Sequence, residues 1–161
     1  MIKVQNVMLV KFAVKNFRGF VERIEWDLSH PNNYEFNRNA VKNGVIKNGI
    51  VYGPNGSGKS NFALAIFDIE NHLSSKWKKN DYYSNFVYVG NPKAPVEFEY
   101  VFMFGNDLLE YQYSKNSAGL LVAESLVVNH KRVFKKDTAF FEIDDYNSRL
   151  TARSKRTSSR M

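Results

Sequence analysis

Residues 49–62 read GIVYGPNGSGKSNF, and the reading of this stretch decides the fold expected of the whole chain. A short apolar run, Ile50-Val51-Tyr52, leads into a glycine-rich turn. Such a run suits a strand buried on both faces, as in a parallel sheet. Beyond the turn, Phe62, Ile66, Ile69, Leu73 and Trp77 recur at helical spacing and form one apolar stripe. Lysines follow near the end of that helix, where cations suit its dipole. Strand, tight turn and helix in this order predict an α/β fold.

The turn itself carries chemistry. Gly53-Pro54-Asn55-Gly56-Ser57-Gly58-Lys59-Ser60 fits the pattern G-x-x-x-x-G-K-[ST] at every fixed position. A loop that wraps a phosphate closely has no room for side chains on its inner wall, so Gly53, Gly56 and Gly58 keep it bare. The backbone N–H groups then face the oxygens, and the helix N-terminus adds its partial positive charge. Lys59 is placed to reach the β- and γ-phosphates of a nucleotide, and the Ser60 hydroxyl to ligate Mg²⁺. The expected ligands are therefore ATP and Mg²⁺.

Outward from this loop, the pattern is of strands. MLVKFAVKNF (8–17) and GFVERIEWDL (19–28) alternate, with Gly19 at the turn between them. SHPNNYEFNRNAVKNG (29–44) reads as a loop. After residue 80 the period is two. APVEFEYVFMF (94–104) and LLEYQYS (108–114) flank the turn Gly105-Asn106-Asp107. LLVAESLVVN (120–129), KRVFKK (131–136) and TAFFEIDD (138–145) continue as short strands of an antiparallel meander.

The 161 residues suffice for one domain with a core, and 43% of them are hydrophobic. There is no cysteine, which excludes disulfides, thiolate metal sites and cysteine nucleophiles and fits a reducing cytoplasm. No apolar run is long enough for a membrane helix, and the start lacks the apolar core of a secretory signal. Met8 is an alternative start. The net charge is +7, and Arg153, Lys155, Arg156 and Arg160 stand without an acid in TARSKRTSSRM (151–161). That tail reads as a disordered, solvated end, with DNA contact as the other reading. His30, His72 and His130 have no metal-like spacing.

FAVKNFRGF, a polar loop and then NGIVYGPNGSGKSNFALAI together resemble the start of the ABC-type ATPase heads. The resemblance is to the branch of RecF, the structural maintenance of chromosomes proteins and the overcoming-lysogenisation-defect nucleases. Within it, the sequence is similar to bacterial AAA-family ATPases of anti-phage and abortive-infection systems. It covers about residues 8–145, with APVEFEYVFMFGNDLLEYQYS and VAESLVV resembling the antiparallel lobe of those proteins. The resemblance implies a P-loop NTPase, the N-terminal lobe of a head with an antiparallel β subdomain. Residues 1–150 would form the lobe, with antiparallel strands over about 82–145, and the lobe would be incomplete by itself. Gly53 to Ser60 would be the cradle, continued by Asn61 and Phe62. Asn16-Phe17-Arg18 matches the Asn-Phe-Arg element of the branch, which makes Arg18 a candidate phosphate contact.

Hydrolysis in such heads also needs a metal-binding acid at the end of an apolar strand, and a Ser-Gly-rich signature acting across a dimer. Neither stands out here. Asp144 follows a run broken by Glu142, Asp107 suits a hairpin turn, and Gln112 sits in mid-strand. Glu97 and Glu99 read as the polar face of a strand. Three functions follow as expectations. One is an ATPase component completed by a homodimer, a partner chain or further sequence. The second is an ATP-binding module without hydrolysis. The third is a DNA-binding accessory acting through its basic tail.

Overall fold

The period-two stretches pair with one another, and every strand pairing in the resulting sheet is antiparallel. The computed structural model describes residues 7–32, 38–74, 83–138 and 140–143. In chain order the described elements are β1 (Val7–Lys15), β2 (Ile24–Asp27), a 3-10 turn (Arg38–Ala40), β3 (Val41–Lys42), β4 (Val45–Ile46), α1 (Lys59–Leu73), β5 (Val96–Phe104), β6 (Asp107–Lys115), β7 (Leu121–Val128), β8 (Lys131–Lys136) and β9 (Phe141–Ile143). Seven strands form one sheet in the order β2-β1-β5-β6-β7-β8-β9, and β3 and β4 form a separate hairpin.

Local chemistry sets the turns. Gly105 takes φ 63 in the two-residue link between β5 and β6. Asn129 and His130, with φ 49 and 64, make the link from β7 to β8, where two positive φ values match the twist of a hairpin. The Asn129 side chain also accepts from the Leu108 N–H at 2.9 Å and donates to Asp107 at 2.7 Å, tying the two hairpin tips together.

One face of the sheet carries Phe12, Val14, Val96, Phe98, Tyr100, Tyr111 and Tyr113, and α1 lies on it. From the helix, Phe62, Ala65, Ile66 and Ile69 fill the space. The Tyr100 hydroxyl donates to the carbonyls of Ala65 and Ile66, at 2.9 and 3.2 Å, so the sheet also holds the helix by its backbone. A smaller cluster on the other face joins Val10, Val101 and Leu28 to Val45 of the β3–β4 hairpin.

The expected α/β fold is contradicted. The described sheet is antiparallel throughout, with a single α-helix on it, where a parallel sheet with several helices was expected. The buried strand expected at Ile50-Val51-Tyr52 does not form: before the loop only Val45–Ile46 is strand, and it pairs with β3. Ile50 and Tyr52 are 91% and 90% exposed. A strand buried on both faces needs neighbours, and among the described residues none pairs with 50–52. The helical stripe is also shifted. Leu73 is exposed, and Ala65 and Asp68 take the buried positions. Trp77, Asp144 and the tail 151–161 lie outside the described residues.

Candidate functional site: the loop at the start of α1

The loop 53–58 runs over the surface and turns directly into α1. Gly58 is the N-cap, in the left-handed region at φ 94, and no side chain caps the helix. No acidic residue lies in the first turn. The first N–H groups of the helix therefore keep the open, partly positive end that suits an anion. Gly56, at φ 80, makes the other left-handed step.

Close packing accounts for the glycines. A Cβ on Gly58 would sit 3.0 Å from the Phe20 ring, and one on Gly53 would sit 3.0 Å from Ser57 Oγ. The Lys59 ammonium donates to the carbonyls of Gly53 and Pro54, at 2.8 and 2.7 Å, which draws the loop into a ring around it. Pro54, Asn55 and Ser57 are exposed on this ring, and Ser60 is exposed in the first turn of α1. The residues expected to form the cradle, Gly53 to Ser60, are thus together in one curl of chain.

The Asn-Phe-Arg element lies beside this curl. Phe17 and Phe20 exchange backbone bonds at 2.9 and 2.8 Å, closing a tight turn that carries the Phe20 ring to Gly58 and Gly19 to the Asn61 side-chain amide. Asn16 is buried at φ 59, and its amide nitrogen lies 3.1, 2.8 and 3.2 Å from the carbonyls of Asn91, Ala94 and Pro95. Phe17 is fully buried against Phe86 and Phe98. Two of the three residues are therefore accounted for by packing. The Arg18 guanidinium lies 5.6 Å from the centre of the Phe17 ring, in the same turn as the loop's neighbours.

A cavity of about 410 Å³ opens between the loop and β2. Phe20, Trp26, Tyr52 and Phe62 form much of its wall, and Gly58 and Lys59 close one side. Gly49 runs against Trp26 so tightly that a Cβ there would sit 2.6 Å from the indole. Glu25 borders the cavity beside Trp26, but its carboxylate lies on the other face of the sheet, paired with Arg23 at 2.9 Å and Lys11 at 3.7 Å. The Arg23 bond, with the Lys11 charge, holds the Glu25 carboxyl below its usual range. Each of these aromatics has a place in a strand or helix expected from the sequence. That they meet was not legible, because Phe20 and Phe62 lie 42 positions apart and come together only where the turn at Phe17 brings Phe20 to the helix start.

Beneath α1 is a second polar group that the sequence did not reveal. Asp68 and Lys115 are buried and 2.7 Å apart, and Tyr113 donates to the same carboxylate at 2.8 Å. The signal was present in pieces: an acid on the inner side of a helix, and a lysine continuing the Tyr111-Tyr113 alternation. Burial lowers the Lys115 pKa, with Asp68 acting against that. Further along, His72 Nε2 stands 2.8 Å from the Tyr111 hydroxyl, which donates to Glu124. This packing pins the helix and contributes no group to the loop.

Asp107 is the first residue of β6, paired with Phe104 just past the hairpin link, and accepts from the Asn129 amide; Gln112 faces Glu99 in mid-sheet. Among the described residues no group of three or more His, Cys, Asp or Glu side chains is placed to hold a metal. Among them, too, no helix is long and apolar enough to cross a membrane. No family model matches the sequence, and no curated protein matches it.

Proposed function

We propose that this chain binds ATP with Mg²⁺ through residues 53–60, as a nucleotide-binding component of an ATPase. The single observation that carries the reading is the loop itself. Its sequence fits the phosphate-binding pattern at each fixed position, and the same residues curl around Lys59 at an uncapped helix N-terminus. In this reading Lys59 leaves the Gly53 and Pro54 carbonyls for the β- and γ-phosphates. The loop N–H groups bind the remaining oxygens, and Ser60 supplies one oxygen to Mg²⁺. Pro54, Asn55 and Ser57 shape the wall, and Asn61 steadies the helix start from its place beside Gly19.

Membership of the RecF-like branch is part of the proposal. It rests on the Asn16-Phe17-Arg18 turn and the Ser60-Asn61-Phe62 continuation, which lie side by side. Arg18 is proposed as a further phosphate contact. Hydrolysis would require an acid and a signature segment supplied by a second copy, another chain or further sequence, in a cytoplasmic setting of phage defence or DNA transactions. Equilibrium dialysis with ATP and Mg²⁺ tests the binding. Lys59→Ala should weaken it by about 10- to 100-fold, the worth of a charge-assisted contact. Equal binding by wild type and Lys59→Ala would remove the reading.

A second reading, binding without turnover, is favoured by one observation. Glu25, the acid that borders the cavity beside the loop, turns its carboxylate to the other face of the sheet, where Arg23 and Lys11 hold it. Phosphate release separates the two readings. Turnover that Lys59→Ala abolishes supports the ATPase, and tight binding without release supports the module.

A further inference from the structure

We propose that the cavity between β2 and the phosphate loop is the seat of the nucleobase, with Tyr52 and Trp26 as its stacking walls. This rests on the reading of residues 53–60 as the phosphate site, and it adds which end of the ligand the rest of the pocket takes.

Continuity is the first argument. Gly58 and Lys59 line the cavity, so a ligand whose phosphates lie in the loop has its other end at this opening. Size is the second: about 410 Å³ lies within the roughly 300–1,000 Å³ common for small-molecule sites. Chemistry is the third. Phe20, Trp26, Tyr52 and Phe62 offer aromatic surface, and every base has a π-face to lay on it. Tyr52 is 90% exposed immediately before Gly53, so its ring has surface to give to a ligand without leaving the core. Trp26 is half-buried and held by Gly49 and Phe62, which makes it the fixed wall.

Of the bases, a purine offers the larger stacking face to these rings. The expected order is ATP ahead of UTP, and both ahead of inorganic triphosphate.

Tryptophan fluorescence tests this on the full chain. The chain has two tryptophans, and Trp77→Phe leaves Trp26 as the reporter. With Mg²⁺ present, ATP should shift or quench Trp26 emission. Inorganic triphosphate should compete with ATP for the loop and leave the emission unchanged. Tyr52→Ala, a change at an exposed position, should weaken ATP by about 10-fold and leave triphosphate affinity as it was. Suppose instead that saturating ATP leaves Trp26 unmoved, or that Tyr52→Ala binds ATP as tightly as the parent, while Lys59→Ala still loses both ligands. The base then sits elsewhere, and the phosphate loop stands. Failure of both ATP and triphosphate to bind overturns the loop reading and the base seat with it.

Discussion

Gly58 concentrates the local physics of the loop in one residue. Its φ of 94 is poorly accessible to a residue with a Cβ, and that Cβ would also press on Phe20 at 3.0 Å. Two separate costs therefore attend Gly58→Ala. Urea unfolding should show a loss of about 1–3 kcal/mol, the scale of a strained backbone. ATP affinity should fall as well, because the loop must shift to admit the methyl group. Adding Phe20→Ala removes the steric part and leaves the dihedral part, so the double variant should recover some affinity for inorganic triphosphate, which needs the loop alone, relative to Gly58→Ala. An unchanged unfolding midpoint in Gly58→Ala would show that the loop does not hold this conformation. Residue by residue, the glycine pattern was legible in the sequence because each glycine answers to its immediate surroundings. The role of Asn16 was not. Its three carbonyl neighbours lie 75 to 79 positions away, and only the folded chain brings them together.

At the scale of elements, α1 is the part that carries the loop, and a buried ion pair fixes it to the sheet. Removing one partner leaves the other charged in a site of low polarity, which is costlier than removing both. Lys115→Met should destabilise the chain by about 3–5 kcal/mol, and Asp68→Leu should do similar damage. The double variant should lie closer to wild type than either single one, which a double-mutant cycle by chemical denaturation measures. Additive losses would mean that the pair is not coupled. Elements were also where the sequence was most and least informative. KRVFKK over 131–136 is the strand β8 with the same bounds, and β5 and β6 match within two residues, because alternation and a two-residue turn are local signals. The apolar run Ile50-Val51-Tyr52 misled because a buried strand is defined by neighbours and not by its own composition. The inner face of α1 differs from the apolar stripe because Asp68, a charged residue, is buried through its bonds to Lys115 and Tyr113, while Leu73, which hydrophobicity alone turns inward, is exposed.

Across the whole molecule, stability depends on pH through a histidine at the end of α1. Burial holds the His72 pKa below its usual 6.5, assisted by the Lys115 charge, while Glu124 and Asp68 pull the other way. The unfolded chain therefore takes up a proton near pH 6.5 that the folded chain resists. Stability should fall as pH drops below about 6.5, and His72→Gln should flatten that part of the curve. Asp27 and Glu25, whose pKa values are lowered by hydrogen bonds to Ser29 and Arg23, act in a separate and more acidic range. Their stabilisation is present above the usual carboxylate range and is lost as the pH falls through their folded values. Thermal unfolding from pH 8 to about pH 2 measures both windows. A flat profile between pH 7 and pH 5 in wild type would contradict the assignment to His72.

The global architecture also limits what the loop can mean. Among the described residues, a single α-helix on an antiparallel sheet presents the loop at its N-terminus without the parallel strands expected from the sequence. The phosphate-binding proposal thus stands on backbone donors and Lys59, and these can be observed directly. Amide hydrogen exchange of the full chain, with and without ATP and Mg²⁺, is the measurement closest to that claim. At an ATP concentration near the wild-type Kd, protection should appear at the amides of residues 53 and 55–61 in wild type and be lost in Lys59→Ala. Bound ATP that leaves these amides unprotected, or protection that persists in Lys59→Ala, would contradict the account.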